Sequence, residues 1–206
     1  MSFTGFTQKD FDTFTIEGLD SRMEAIQERI QPKFHEIGSE LSEHLSGKLG
    51  MEMFLHIAKH ARRTVNPPKD TWLAIASNKR GYKQHPHFQV GLFDDHVFIW
   101  LAYIYELPKK KEIAEGFLAN YELLHSTLPK DYFLSMDHMK KEAVKIGEAD
   151  LEAALTRFRD VKKAEFLVGQ QIPADDPILS NREAFLALVE KTYDTLLPIY
   201  KLSLEY

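Results

Sequence analysis

The sequence contains no cysteine. This absence excludes disulfide bonds, thiolate metal sites and a cysteine nucleophile, and a reducing cytoplasm is then the simplest compartment. No apolar run approaches the ~20 residues that a membrane-spanning helix needs, so we expect no membrane insertion. The N-terminal segment, MSFTGFTQKD, has neither the basic start nor the apolar stretch of a secretory signal, which also favours the cytoplasm.

The common catalytic motifs are missing as well. The chain has no Gly-x-Ser-x-Gly elbow, no Walker phosphate loop, no dinucleotide-binding glycine motif and no His-Glu-x-x-His pair. Asp94, Asp95 and His96 place carboxylates beside a histidine, but aspartates are common in turns because their side chains bond to nearby backbone groups. We therefore interpret that segment as a turn. The sequence decides neither whether the protein is an enzyme nor which cofactor it uses.

What the chain does contain is the composition of an ordinary globular protein. Of its 206 residues, 44% are hydrophobic and 28% are charged. A chain of this length can bury a full core, and single domains commonly reach about 200 to 250 residues. We therefore expect a single domain over residues 1–206, while the oligomeric state stays open.

Apolar residues at helical spacing predict helices in the first fifty residues, after Pro108, over 149–161 and from Asn181 onward. Pro32 either restarts or kinks the first helical region, and Gly50 should end it. Asn181 is expected to cap the last helix.

Alternating side chains predict several strands. The predicted strands cover residues 51–61, 71–79, 88–93, 97–105, 132–136 and 165–172. The segment 51–61 fits a helix or a strand, and its strand neighbours favour the second. Short turns between successive strands imply antiparallel pairing. The fold class is therefore α+β: a two-layer, mainly antiparallel sheet of about six strands with helices packed on one face.

Positive charge is concentrated in residues 59–83. This segment holds seven lysines and arginines and one acidic residue, so its net charge is +6. The whole chain carries −5, which leaves −11 on the other residues. Four of the nine histidines lie in or beside the segment: His56, His60, His85 and His87. A basic, histidine-rich segment in an acidic protein predicts a surface that attracts anions locally.

The histidine spacing argues against a metal site. On a helix, His56 and His60 would share one face and could bind zinc together. On a strand they lie roughly 13 Å apart, too far for one ion. His85 and His87 are separated by Pro86 and lack an obvious third ligand. We expect no metal site at these histidines and no stoichiometric zinc.

The same segment supplies the candidate binding residues. On the strand interpretation, His56, His60 and Arg62 share one face, and the small Ala74 and Ala76 leave room above the sheet. The guanidinium fork of arginine matches a phosphate or a carboxylate. We therefore expect a small anionic ligand. The candidates are His56, His60, Arg62, Arg63, Asn78, Lys79, Arg80 and Tyr82.

Three alternatives remain open for this segment. The charges could form an ordinary solvated surface. His56 or His60 could act as a general acid or base, because histidine titrates near neutral pH. The segment could also bind nucleic acid, but the −11 elsewhere would repel a long polyanion, so nucleic acid ranks last.

Two stretches within residues 56–106, AKHARRTVNPP and NKRGY, carry a family resemblance, and so does the opening DFDTFTIEGLDSRMEAIQERIQPKF. With these motifs the chain resembles the YktB-like family of uncharacterised proteins from low-GC Gram-positive bacteria. The resemblance implies a cytoplasmic bacterial protein with a compact α+β fold, similar to the two-layer folds grouped with the TATA-binding-protein architecture. It implies no activity, cofactor or catalytic residue, so function has to be argued from the site.

Overall fold

A computed structural model describes residues 3–206, which form an α+β fold. The strands are β1 (Phe54–Ile57), β2 (Thr71–Ala76), β3 (His87–Leu92), β4 (His96–Tyr103), β5 (Phe133–Ser135), β6 (Val144–Lys145) and β7 (Phe166–Pro173). They build one antiparallel sheet of seven strands in the order β1-β2-β3-β4-β7-β5-β6. The predicted fold class is confirmed. The expected number of about six strands is corrected to seven, because β6 has two exposed residues and no alternation to detect.

The helices are α1 (Gln8–Phe11), α2 (Leu19–Ala25), α3 (Gln31–Leu49), α4 (Lys110–Ala119), α5 (Tyr121–Thr127), α6 (Leu151–Asp160) and α7 (Arg182–Ser203). A π-helical turn, Ile26–Ile30, joins α2 to α3 just before Pro32. Proline lacks the N–H group and crowds the carbonyl four residues earlier, and the wider turn relieves that crowding. Gly50 ends α3 in the left-handed conformation, as predicted. Within residues 3–206, no helix is long and apolar enough to cross a membrane.

The two faces of the sheet are covered by different structures. On one face, Leu73, Val90 and Ile99 are fully buried in the core that the helices complete. We call the other side the loop-covered face; its strand residues are Trp72, Ala74, Phe98, Trp100, Ala102 and Leu167. Ala58 and Tyr82, which lie in loops, pack on this face. Both faces of the central strands are therefore buried.

Gly38 sets the distance between α3 and the end strand β1. A Cβ atom at Gly38 would lie 2.5 Å from Leu55 Cδ1, so a larger residue would force the Leu55 side chain or the helix to shift. This close approach places the first turns of α3 beside β1, where the candidate site lies.

Asn181 caps α7, as predicted. Its Oδ1 accepts a hydrogen bond from the backbone N of Ala184 at 3.0 Å. We expect Asn181→Ala to lower the free energy of unfolding by about 1 kcal/mol, because a backbone donor loses its partner. Asn181→Asp keeps an acceptor and should change it by only about a few tenths of a kcal/mol. Urea denaturation measures both, and equal losses would show that capping is not the cause.

Candidate functional site

A cleft of about 800 Å³ lies beside β1, which among residues 3–206 has a strand partner on one side only. Its walls come from α3, from β1 and the residues after it, and from the loop between β2 and β3 (residues 77–86). The lining residues are Gln31, His35, Leu55, His56, Ile57, Lys59, Asn78, Arg80, Gly81, Tyr82, Lys83, Gln84, His85 and Glu106. We call this space the edge cleft. It joins segments that are far apart in the sequence.

Asn78 holds the 77–86 loop against β1. Its backbone carbonyl accepts a hydrogen bond from His56 Nε2 at 2.8 Å. Its side-chain Oδ1 accepts from the backbone N of Arg80 at 2.8 Å, and its Nδ2 donates to His85 Nε2 at 2.8 Å. Because a carbonyl oxygen can only accept, the bond to Asn78 requires a proton on His56 Nε2. One asparagine therefore orders both the loop and two of the histidines in the cleft.

Tyr82 connects the edge cleft to the loop-covered face. Its hydroxyl accepts a hydrogen bond from Trp72 Nε1 at 3.1 Å. Its ring centroid lies 5.6 Å from that of His56 and 4.9 Å from that of His87. Burial raises the pKa of Tyr82 to about 12, so the hydroxyl keeps its proton at neutral pH. Tyr82 is therefore a neutral, fixed wall with a hydroxyl group.

The cations of the edge cleft outnumber its carboxylates. Lys59, Arg80 and Lys83 line it, against the single acidic residue Glu106. Glu106 pairs with Lys83 at 3.4 Å. Across residues 3–206, neither Lys59 nor Arg80 takes part in a salt bridge. Two cations thus face a partly enclosed space without a protein counter-charge, which attracts an anion.

Four of the eight candidate residues line the edge cleft: His56, Asn78, Arg80 and Tyr82. The other four do not: His60, Arg62, Arg63 and Lys79. The strand β1 ends at Ile57, and the chain then turns through His60, whose φ is 51°. The prediction that His60 and Arg62 share the face of His56 is therefore wrong, because the alternation stops before them.

The arginines do not converge at one point. Arg62 and Arg63 belong to the loop before β2, whereas Arg80 belongs to the loop after it. The strand between these loops has six residues, so at about 3.3 Å per residue its first and last residues lie about 17 Å apart. Lys79 is exposed and lies outside the lining of the cleft.

His60 is held away from the edge cleft by contacts at the start of β2. Its Nε2 lies 3.1 Å from Thr71 Oγ1, and its ring meets the ring of Trp72 edge-on at 5.6 Å. Burial, followed by the charge of Arg63, lowers the pKa of His60 to about 4. His60 is therefore neutral at physiological pH. Of the two histidines considered for acid–base chemistry, only His56 lines the cleft.

Several lining residues were not among the candidates. Lys59, Lys83 and His85 lie in or beside the basic segment, so the charge pattern could have included them. Gln31 on α3 and Glu106 after β4 reach the cleft only through the tertiary fold. No pattern in their own segments marks them.

A second polar group lies between the segment after β5 and the start of β7. Asp137, His138 and Glu165 bring donor atoms within 4.8 Å of one another, a spacing that could hold a metal ion. Glu165 is 3% exposed and accepts hydrogen bonds from the His138 backbone N at 2.7 Å and from Tyr105 N at 3.3 Å. Its carboxylate also lies 2.8 Å from His138 Nδ1. Since His138 and Glu165 already bond to each other, we interpret them as a structural ion pair, and the absence of zinc stays a prediction.

Comparison with known proteins gives one consistent family. A family model described as a domain of unknown function (DUF1054) matches residues 6–200. The UPF0637 protein of Shouchella clausii is 59% identical over 204 residues, covering 99% of this chain and 97% of the relative. The UPF0637 protein of Exiguobacterium sibiricum is 60% identical over 198 residues, covering 96% of this chain and 98% of the relative. That of Listeria monocytogenes serotype 4a is 54% identical over 205 residues, covering 100% of each chain.

Proposed function

The chain belongs to the DUF1054 family, and we propose that it binds a small anionic ligand, carrying a phosphate or a carboxylate, in the edge cleft. The family prediction made from the sequence is confirmed, since the relatives come from low-GC Gram-positive bacteria. The compartment we propose is the cytoplasm, on the strength of the cysteine-free sequence.

The observation that carries this proposal is the charge of the cleft. Lys59 and Arg80 line it without a salt bridge among residues 3–206, and Glu106 is already paired with Lys83. A bound anion would supply the counter-charge that the described part of the chain does not. A nucleic acid is a weaker candidate, because the negative charge elsewhere on the chain repels a long polyanion.

Each lining group has a role that follows from its contacts. The Arg80 guanidinium can donate two parallel hydrogen bonds to a phosphate or carboxylate, and Lys59 adds a point charge. His56 is oriented by its hydrogen bond to the Asn78 carbonyl, which leaves the other ring nitrogen, Nδ1, for a hydrogen bond with the ligand. Tyr82 forms a rigid aromatic wall. The cleft therefore offers a charged part and an aromatic part to one ligand.

Replacing Arg80 with Ala is expected to weaken anion binding by at least about tenfold, because a hydrogen bond to a charged group contributes about 1.5 to 3 kcal/mol. Lys79→Ala removes the same charge one position away, outside the cleft, and should change affinity by less than about twofold. Arg80 and Lys79 are both exposed, so both variants should fold. Thermal melts with inorganic phosphate, pyrophosphate and glutarate at constant ionic strength measure the ligand stabilisation.

Two results would contradict the proposal. In the first, Arg80→Ala and Lys79→Ala lose the same amount of thermal stabilisation by the probe anions. That result would show that the cations of this segment form an ordinary solvated surface. In the second, sodium chloride stabilises the protein as much as the probe anions do. A short DNA duplex serves as the comparison for nucleic acid, and we expect no selective stabilisation by it.

A further inference from the structure

The edge cleft follows the free side of a strand. Three consecutive residues of β1, namely Leu55, His56 and Ile57, all line it. Consecutive side chains on a strand point to opposite faces of the sheet. A space that all three line therefore lies along the edge of the strand and not over one face. The edge of β1 forms its floor.

The backbone of β1 directs hydrogen-bonding groups into this space. The Ala58 backbone N donates to the Trp72 carbonyl at 2.9 Å, which places Ala58 in the ladder with β2. In an antiparallel ladder, successive residues turn their N–H and C=O groups to alternate sides. His56 therefore bonds to β2 as Ala58 does, and the N–H and C=O groups of Leu55 and Ile57 point outward.

The two sides of this edge differ in chemistry. The side chains of Leu55 and Ile57 lie on the helix-covered face and pack against its core. The His56 side chain lies on the opposite face against the Tyr82 ring, and Asn78 ties to it the loop that carries Arg80. A strand placed beside β1 would therefore meet apolar side chains on one face, and on the other the aromatic rings of His56 and Tyr82 with the cation-bearing loop beside them.

The opposite edge of the sheet is protected in a way that β1 is not. It ends in β6, two residues long, with Lys145 exposed. Very short edge strands and edge lysines are common devices against unwanted pairing. The strand β1 has four residues, FLHI, with no lysine, no carboxylate and no proline. The sheet therefore remains open to pairing at β1.

We infer that the ligand of the edge cleft is an extended peptide segment with alternating apolar and acidic residues, which adds to β1 as a further strand of the sheet. The backbone groups of Leu55 and Ile57 pair with the peptide, and its acidic side chains face Arg80. This inference rests on the proposed function, because it assigns the anionic groups of the ligand to the side chains of a peptide.

The test uses a hexapeptide, acetyl-Glu-Val-Glu-Val-Glu-Val-amide, and two isomers of equal mass. One isomer carries N-methyl groups on its three valines and the other on its three glutamates. Within a strand, N–H groups of alternate residues point to the same side, so only one isomer keeps the N–H groups that face β1. Binding is measured by calorimetry on the full chain, with glutarate as the free carboxylate.

We expect the unmethylated peptide and one isomer to bind alike, and the other isomer to bind at least about tenfold more weakly. If methylation of the valines weakens binding, the peptide has added antiparallel to β1. If methylation of the glutamates weakens binding, the peptide has added parallel to β1. Arg80→Ala should weaken the binding of every peptide, whereas Lys79→Ala should leave peptide affinity unchanged. A lysine–valine peptide of the same pattern should not bind.

Equal affinity of the two isomers would overturn the inference, and so would a hexapeptide that binds no better than glutarate. The proposed function survives either result if glutarate or phosphate still binds in a way that depends on Arg80. If no anion binds, the proposed function fails together with the inference.

Discussion

Replacing Asp70 with Asn is expected to raise the free energy of unfolding by about 2 to 3 kcal/mol at pH 8 and to change it little below pH 4. Asp70 immediately precedes β2 and is 1% exposed. Within residues 3–206, neither of its carboxylate oxygens has a hydrogen-bond partner. A buried carboxylate without partners is costly to ionise, and Asn removes that cost while keeping the shape.

The direction of the pH dependence follows from the pKa of this carboxyl group. Burial raises the pKa of Asp70 from 3.8 to about 6, although the charges of His138 and Arg63 offset part of the rise. The folded state therefore holds its proton more tightly than the unfolded state does. The free energy of unfolding is therefore highest at low pH, where Asp70 is protonated in both the folded and the unfolded state. It falls as the pH rises from about 4 through 6 and is constant above about pH 6. Asp70→Asn lacks this loss of stability, because the Asn side chain does not ionise.

Urea denaturation of both proteins across this pH range measures the difference. Asp175→Asn is the matched control, because Asp175 is exposed, and it should change stability by less than about 0.5 kcal/mol throughout. A stability difference for Asp70→Asn that stays the same at low and high pH would show that the carboxylate is not strained by burial.

The sequence best predicts those parts of the fold in which the paired segments are close together in the chain. The hairpin of β3 and β4 was predicted because its strands alternate and Asp94 and Asp95 provide a turn between them. The pairing of β4 with β7 joins segments more than sixty residues apart, and β6 depends wholly on its partner β5. A strand of two residues has no pattern of its own, since its shape is imposed by the neighbour.

The candidate site shows the same limit. The concentration of positive charge in residues 59–83 pointed to the region that borders the edge cleft, because charge is a property of the sequence. Which of those charges share one space depends on where each strand ends. The strand β1 ends at Ile57, and the chain turns at His60, where the backbone N of Arg63 bonds to the His60 carbonyl at 3.0 Å. Arg62 and Arg80 consequently lie in loops at opposite ends of β2.

Replacing Glu165 with Gln is expected to lower the free energy of unfolding by about 3 kcal/mol near pH 6, because it breaks a buried ion pair by removing one charge. The side chains of Glu165 and His138 are 3% and 17% exposed, and their charged groups are 2.8 Å apart. Burial alone would lower the pKa of His138, but the hydrogen bond and charge of Glu165 outweigh it and raise this pKa above 6.5.

The pH dependence of this loss has the opposite direction to that of Asp70. Because the folded pKa of His138 is raised, its pairing stabilises the protein fully below about pH 6.5 and is lost as the pH rises through the folded value. The cost of Glu165→Gln should therefore be largest near pH 6 and should shrink toward pH 9.

Denaturation of Glu165→Gln, His138→Gln and the double variant isolates the pair, because the cycle subtracts effects that each residue has alone. We expect Glu165→Gln to cost much less when His138 is already replaced. The exposed Glu142→Gln is the matched control and should change stability by less than about 0.5 kcal/mol. If the cost is the same at every pH and in both backgrounds, the charge of His138 plays no part in it. Hydrogen exchange of residues 136–143 gives an independent measurement, since this pair ties the segment after β5 to the start of β7.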